Sequence, residues 1–269
     1  MSVQQINYKQ IKAVLPERYK SHIVETYRWL RAASLYGTSV VCPCCNASLR
    51  TFVLGGESPA RTALCPRCLS LERHRWLWLY LENQTSMFQA PTRLLHLAPE
   101  TSLARRFRQM PNIDFVGVDL ELTEHVGANV SFQMDITKLA FADDSFDAII
   151  CNHVLEHVPD DHNALRELQR VLRPGGCAFI TTPVKMDQLT YEDSTITTPA
   201  ERKKHFEQYD HVRIYGCDIV DRMQEAGFRV KVYSSLEIPE ETAQRYGLWR
   251  YEYGEVREEL IFHCSKNNF

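Results

Sequence analysis

The sequence predicts an α/β protein in which an open, doubly wound parallel sheet follows a small cysteine-rich module. Three observations predict it. Between Arg93 and Gly176, short apolar runs recur, each closed by a polar residue and separated by helix-compatible segments, as in buried parallel strands joined by crossover helices. Two Cys-x-x-Cys knuckles precede that region. Finally, 269 residues at 44% hydrophobic and 24% charged are enough for one full domain and a small module.

The divisions expected are a helical, metal-binding module over residues 1–90 and a larger domain over 91–269. No apolar run approaches the length of a membrane span, and the start, Met1-Ser2-Val3-Gln4-Gln5, lacks the basic-then-apolar order of a secretion signal, so a cytoplasmic protein is expected. The net charge of -3 hides an asymmetry: residues 1–90 hold 11 Lys and Arg against 5 Asp and Glu, whereas the remainder holds 20 against 29. A basic front suits an anionic substrate such as nucleic acid or a sugar phosphate; scattered solvated charge is the competing explanation.

In the front module, Ile11, Val14, Leu15, Tyr19, Ile23, Tyr27 and Leu30 are spaced as on helices, two of which would meet near Pro16. Cys42-Pro43-Cys44-Cys45 and Cys65-Pro66-Arg67-Cys68 then follow, nineteen residues apart. Each knuckle places two sulfurs on one tight turn, and two knuckles complete a tetrahedron. The expected ligands of a structural Zn2+ are Cys42, Cys45, Cys65 and Cys68, with Cys44 a rival to Cys42 in register. Four protein ligands leave no open position. A helix from about Ser70, its plausible N-cap, to Asn83 presents Trp76, Leu77, Leu79, Tyr80 and Leu81 for docking. Arg73 and Arg75 on it either read an anion or sit on a solvated face.

The strands expected in the larger domain are Leu94–Leu97, Phe115–Val118, Val130–Met134, Ala148–Cys151 and Ala178–Pro183. In an open parallel sheet the ligand lies beyond the carboxyl ends of the strands, so the closing residues should line one crevice. Asp119 ends the second run, where a carboxylate can accept both hydroxyls of a ribose, with Leu120 beside it. Asp135 ends the third and precedes Ile136, a pair suited to the amine and ring face of adenine; Asn152 and His153 end the fourth. A helix from about Asp161 to Arg173 buries Leu165, Leu168, Val171 and Leu172, capped by Asp160 or Asp161 and stopped by Pro174-Gly175. His153, His157 and His162 invite a metal reading, but Pro159 interrupts any continuous helix, and no second metal is expected there.

The succession Gly117-Val118-Asp119-Leu120, Gln133-Met134-Asp135-Ile136, Asp147 through Val158 and Leu172-Arg173-Pro174-Gly175-Gly176 resembles the class I S-adenosylmethionine-dependent methyltransferases, in the branch acting mostly on small molecules. The resemblance covers residues 92–183 closely. It implies a Rossmann-like sheet of seven strands, the last antiparallel to its neighbours, with runs around Val232 and Ile261 as the sixth and seventh. It also implies cofactor roles for Asp119 (ribose), Asp135 and Ile136 (adenine) and Asn152 (beside the methionyl group), and makes the Leu155-Glu156-His157 segment a structural turn. One departure stands out. The family's first turn is rich in glycine, yet Ala98, Glu100 and Ser102 occupy those places here. Ala98 and Glu100 are therefore expected to border a modified pocket, in which Glu100 meets the cofactor's ammonium; a pocket that no longer binds cofactor is the competing reading.

The polar segment at about 184–216 follows the fifth strand on the crevice side and carries Tyr191, His205, Tyr209, His211 and Arg213. It reads as an acceptor-binding lid. Methyl transfer mainly requires alignment and exclusion of water, and a base only where the nucleophile holds a proton. His153, His211 and Tyr191 are the candidate bases, the histidines favoured by their pKa, although tying down the lid would equally explain His211. The leading expectation is a methyltransferase acting on a small polar metabolite such as a sugar or natural-product precursor. The alternatives are an RNA base methyltransferase that uses the basic zinc module, and a non-catalytic zinc scaffold.

Overall fold

The structure is a computed structural model that describes residues 17–55, 63–122, 129–248, 251–252, 255–256 and 258–267. In chain order its strands are β1 Tyr36–Cys42, β2 Ala47–Leu49, β3 Thr92–Leu97, β4 Ile113–Asp119, β5 Phe132–Gln133, β6 Phe146–Asn152, β7 Leu172–Thr181, β8 Val184–Lys185, β9 Tyr191–Glu192, β10 Arg213–Gly216, β11 Arg229–Ser234, β12 Tyr251–Glu252, β13 Glu255–Val256 and β14 Leu260–Ser265. Its helices are α1 Glu17–Ser34, α2 Glu72–Gln84, α3 Thr101–Phe107, α4 Asp161–Val171, α5 Pro199–Phe206, α6 Ile219–Glu225 and α7 Glu240–Tyr246. The helix expected before Pro16 lies outside the described residues.

Seven strands form the main sheet in the order β11-β14-β7-β6-β3-β4-β5. The five from β7 to β5 are parallel, and β14 runs antiparallel to both β7 and β11, as the family resemblance implies. Strand side chains alternate between two cores, as a period of two demands. Leu95, Leu97, Ile149, Cys151, Ala178 and Ile180 face α4 and α6. Leu94, Ala148, Ile150, Phe179 and Ile261 face α2 and α3. Covering helices on both faces explain why these strands read as continuous apolar runs. No helix among the described residues is long and apolar enough to cross a membrane.

Strand β5 is only two residues long, far shorter than the expected Val130–Met134 run. Its side chains are exposed, leaving little burial to extend it. Helix α4 is capped by Asp160, whose side chain accepts the Asn163 N–H at 3.0 Å. It ends at Val171, and β7 begins at once, so Pro174 and Gly175 lie within the strand's entry rather than at a helix stop. Gly175 has φ +78°, a left-handed value that glycine adopts without Cβ strain.

The front module packs on the sheet through α2, where every residue from Trp76 to Leu81 is buried. Its N-cap is Leu71, not Ser70, whose side chain turns instead to the cysteine sulfurs. Arg75 is likewise no anion reader. It is fully buried, stacks 3.9 Å over the Phe52 ring and donates to the carbonyls of Ala63, Ser70, Tyr246 and Gly247. It thereby ties the cysteine module to the C-terminal end of α7.

Candidate active site and four-cysteine cluster

Strand register builds the crevice. Leu97 at the end of β3 pairs with Val118 on one side and Cys151 on the other. The residues that follow, Ala98, Asp119 and Asn152, therefore stand side by side at the carboxyl ends of three adjacent strands. Asp119 pairs with Gln133, and its carbonyl accepts the Met134 N–H at 2.9 Å, bringing Asp135 to the same edge. Ala98 takes φ +44° and donates its N–H to Val118 O at 2.7 Å. The left-handed conformation of a glycine turn is thus kept without glycine, at a cost of about 1 kcal/mol.

Glu100 is the N-cap residue of α3, and its carboxylate faces three donors. His96 Nε2 lies 2.9 Å from Oε2, His74 Nε2 lies 3.5 Å from Oε1, and the Asn152 side-chain amide donates to Oε1. Burial pushes the carboxyl up, but the His96 hydrogen bond and the neighbouring ring charges outweigh it, holding the pKa at about 2. His74 is pushed down to about 3, chiefly by burial, and is neutral at pH 7. Its Nδ1 accepts the Leu71 N–H at 3.1 Å, so its proton sits on Nε2, toward Glu100. Asn152 is buried and also accepts from Thr181 Oγ1, which fixes its amide orientation. Ser102 is buried with its hydroxyl 3.3 Å from His74 Nδ1.

At the ends of β4 and β5, Asp119 Oδ1 accepts the Glu121 N–H at 3.3 Å, and among the described residues its second oxygen has no partner. Such a carboxylate fits a ribose diol. Leu120 beside it is exposed. Asp135 is exposed, and its Oδ1 accepts both the N–H and the hydroxyl of Thr137 at 2.8 Å, which leaves Oδ2 for an exocyclic amine. Ile136 is buried in the core that packs under α4 and α6.

The two candidate histidine bases converge on one cluster. His153 has φ +53°, and its Nδ1 lies 3.2 Å from Oε1 of the buried Glu156. Burial raises the Glu156 carboxyl, but the His153 contact outweighs it and the group stays below its ordinary value. His211 enters from the segment before β10, held by a 3.1 Å contact from Nδ1 to Phe206 O and stacked edge-on against His157 at 4.7 Å between centroids. Burial lowers its pKa, so the ring is neutral. The segment over 184–216 is docked on this turn: Val212 N–H donates to Glu156 O at 2.9 Å, and Arg213 donates to the carbonyls of Leu155, Val158 and Pro159. Tyr191 lies instead beside His205, 3.3 Å from its Nδ1. Sequence reasoning missed His74, His96 and Glu156. The only signals were a histidine within a buried strand and a carboxylate between two histidines.

In the front module, Cys42 and Cys68 sulfurs are 3.6 Å apart and those of Cys45 and Cys65 are 3.7 Å apart. A thiolate tetrahedron with bonds of about 2.3 Å spaces its sulfurs by about 3.8 Å, whereas a disulfide holds them at about 2.0 Å. These four residues could hold a metal ion. Cys44 stands outside the set, its thiol directed at His74 O at 3.7 Å. Ser70 Oγ lies 3.2 Å from Cys42 Sγ and 3.3 Å from Cys68 Sγ, as a donor supporting ligands would.

Comparison with known proteins agrees with this geometry. Residues 99–180 match the family model described as a methyltransferase domain. A ubiquinone/menaquinone biosynthesis C-methyltransferase of Hahella chejuensis is 34% identical over 123 residues, 40% of this chain and 49% of the relative. A ubiquinone biosynthesis O-methyltransferase of Xanthomonas oryzae is 34% identical over 87 residues, 30% of this chain and 36% of the relative. The chain thus spans half or less of the length of these curated relatives. An S-adenosylmethionine-dependent methyltransferase from Mesorhizobium loti superposes with a TM-score of 0.50 at 17% identity, covering 70% of this chain and 96% of that one. The cyclase SpnF superposes at 0.51 with 17% identity, covering 93% and 96%. Likeness at that identity shows the fold alone, and the cyclase illustrates that the fold does not dictate the chemistry. Residues 99–180 thus match a methyltransferase domain, and they lie in a mixed seven-stranded Rossmann-like sheet.

Proposed function

We propose that this chain transfers the methyl group of S-adenosylmethionine to a small polar acceptor, and that its four-cysteine cluster holds a structural Zn2+. The observation that carries the first part is the alignment of Ala98, Asp119 and Asn152 at three adjacent strand ends, with Glu100 bonded to Asn152, inside a segment matching a methyltransferase model. The relatives' names bring ring-bearing quinone precursors and both oxygen and carbon acceptors into the substrate class; nothing in them points to sugars.

When bound, the cofactor supplies an electrophilic methyl on a sulfonium. The protein's part is binding, alignment and proton handling. Asp119 accepts the ribose hydroxyls, Leu120 and Ile136 border the adenine, and Asp135 Oδ2 accepts its amine. Glu100, anchored as an anion by His96 and Asn152, meets the ammonium; Ala98 brings the backbone close without a glycine. The segment over 184–216 covers the acceptor and excludes water. His153 and His211 are the proton acceptors for a hydroxyl nucleophile.

An RNA acceptor fits less well. Arg67 and Arg105 are both paired with Glu25, and Arg75 is buried, so three of the arginines of the front module and its neighbourhood are engaged within the protein. The test is calorimetric titration of S-adenosylmethionine into zinc-replete parent and Asp119→Ala. Saturable binding in the parent that weakens at least about tenfold in the variant, about 1.4 kcal/mol, is expected. A variant that binds like the parent removes Asp119 from the site; a parent that does not bind favours a scaffold.

A further inference from the structure

We propose that Glu156, His157 and His211 bind a divalent transition-metal ion, and that this ion holds the acceptor oxygen beside the cofactor's methyl group. The second half rests on the methyl-transfer reading above; the first does not. The sequence predicts no metal here, because Pro159 breaks the helix that could align the histidines. The third ligand comes instead from the docked segment, where the Val212 N–H bond to Glu156 O sets His211 against the Leu155–His157 turn. One ligand atom from each of the three residues lies within 4.8 Å of the others. An ion with bonds of about 2.0–2.2 Å would draw them inward by ordinary side-chain rotation.

Both imidazoles are prepared for ligation. His211 Nδ1 lies 3.1 Å from Phe206 O and His157 Nδ1 lies 3.4 Å from Asp210 Oδ2. A carbonyl and a carboxylate that fix the Nδ1 proton leave the Nε2 lone pair for a metal, the usual support of a ligating histidine.

The cluster also contains buried polar atoms without a hydrogen bond. Glu156 is 1% exposed; its Oε2 accepts Thr182 Oγ1 at 2.9 Å, and its Oε1 meets His153 Nδ1 at 3.2 Å, which leaves further lone pairs on both oxygens. His153 Nε2 and Asp210 Oδ1 are buried and unbonded. Buried polar atoms are rarely left so, and a cation in this cluster would engage the free lone pairs.

Two imidazoles and one carboxylate leave coordination positions open, unlike the four-thiolate cluster. Asn152, the residue expected near the methionyl group, directly precedes His153, whose Nδ1 lies 3.2 Å from Glu156 Oε1. An acceptor hydroxyl bound at an open position becomes more acidic. Its proton passes to His153 Nε2, since His211, as a ligand, is no longer a base. The oxygen's lone pair forms the O–CH3 bond as the CH3–S bond breaks, and that bond's electron pair remains on sulfur as a neutral thioether.

The experiment is titration of Mn2+ into the full, zinc-replete chain, followed by electron paramagnetic resonance and water-proton relaxation. Mn2+ favours oxygen and nitrogen donors and leaves the thiolate cluster undisturbed. One Mn2+ per chain is expected, with enhanced relaxation from exchangeable water. Affinity should fall at least about tenfold in Glu156→Gln and in His211→Gln, with partial recovery in Glu156→Asp. S-adenosylmethionine binding, measured on the same variants, checks that they are folded. Absence of a Mn2+ site in a parent that binds S-adenosylmethionine overturns the proposal and leaves the methyltransferase reading standing, as does a site untouched by both glutamine variants. Mn2+ bound without exchangeable water overturns the acceptor role. A Mn2+ site in a chain that does not bind S-adenosylmethionine supports the metal assignment and removes the methyl-transfer reading alone.

Discussion

His74 Nε2 lies 3.5 Å from Glu100 Oε1, joining the cysteine module to the turn that borders the cofactor crevice. His74 belongs to the first turn of α2, four residues past Ser70, whose hydroxyl touches Cys42 and Cys68 sulfurs. Glu100 in turn engages Asn152 and, through it, Thr181. The cluster and the candidate active site are thus joined through one turn of α2 and the His74–Glu100 contact.

This link makes the protein acid-labile in a specific window. His74 and Glu100 both bind protons more weakly in the folded chain than at their ordinary values of 6.5 and 4.5. The unfolded chain therefore takes up more protons as pH falls. Stability is whole above pH 6.5 and is lost through the His74 window down to about 3 and the Glu100 window down to about 2. The Glu100 share is about 3 kcal/mol. His74→Gln keeps an amide donor but does not titrate, so its urea midpoint should decline less than the parent's between pH 6.5 and 4.5. Parallel decline in both chains would assign the loss to other histidines, His211 and His263 among them, whose pKa values are also lowered by burial.

The metal ligand set is decided by one cysteine pair. Cys45→Ser should lose stoichiometric zinc in a colorimetric thiolate-release assay, because it removes one corner of the tetrahedron. Cys44→Ser should retain it, since that thiol bonds to His74 O instead. Chelation of the parent should unfold the β1–β2 module and weaken S-adenosylmethionine binding through the His74–Glu100 contact. Cofactor affinity unchanged after complete metal removal would show the two sites to be independent.

The central strands were legible because they bury both faces: Leu94 and Leu95 point into opposite cores, so apolar residues stand next to one another in the run. Asp119 and Asn152 were legible for the same reason, as the first polar residues after such runs. What the sequence hides is closure across distance. His96 and Glu100 are four residues apart but sit on a strand end and a helix cap, a pairing no single periodicity reveals. His211 reaches Glu156 and His157 only because Arg213 pins the intervening chain to the carbonyls of residues 155, 158 and 159. Ser70 reads as a helix cap because serine favours that place; the sulfurs of Cys42 and Cys68 engage its hydroxyl instead.

Arg75 tests whether the module and the sheet domain fold together. Lysine in its place keeps the charge but loses the planar fork that reaches four carbonyls and the Phe52 face. Arg75→Lys should cost about 2–4 kcal/mol, from unmet buried carbonyls and a poorly seated ammonium. Denaturation should remain a single transition if the strut belongs to one cooperative unit. A transition that splits in two would show the front module melting on its own.

The docked segment rests on two arginines that share their carboxylates. Asp161 is 2% exposed at its side chain; it lies 3.7 Å from Arg213 and 3.1 Å from Arg222, and Glu192 contacts both arginines at 2.8 and 3.0 Å. Removing Arg213 alone strands three carbonyls, but Arg222 still neutralises Asp161. Arg213→Met should therefore cost about 2–3 kcal/mol, below the ~3–5 kcal/mol of a buried pair broken outright. Arg222→Met should cost less, because Arg222 is more exposed and Arg213 remains. The double variant leaves Asp161 buried without a cation, although Tyr215 still donates to it at 2.7 Å. Its loss should exceed the sum of the single losses by about 1–2 kcal/mol in a double-mutant cycle. Additivity within about 0.5 kcal/mol would mean that Asp161 takes up a proton or that the segment detaches once either arginine is gone.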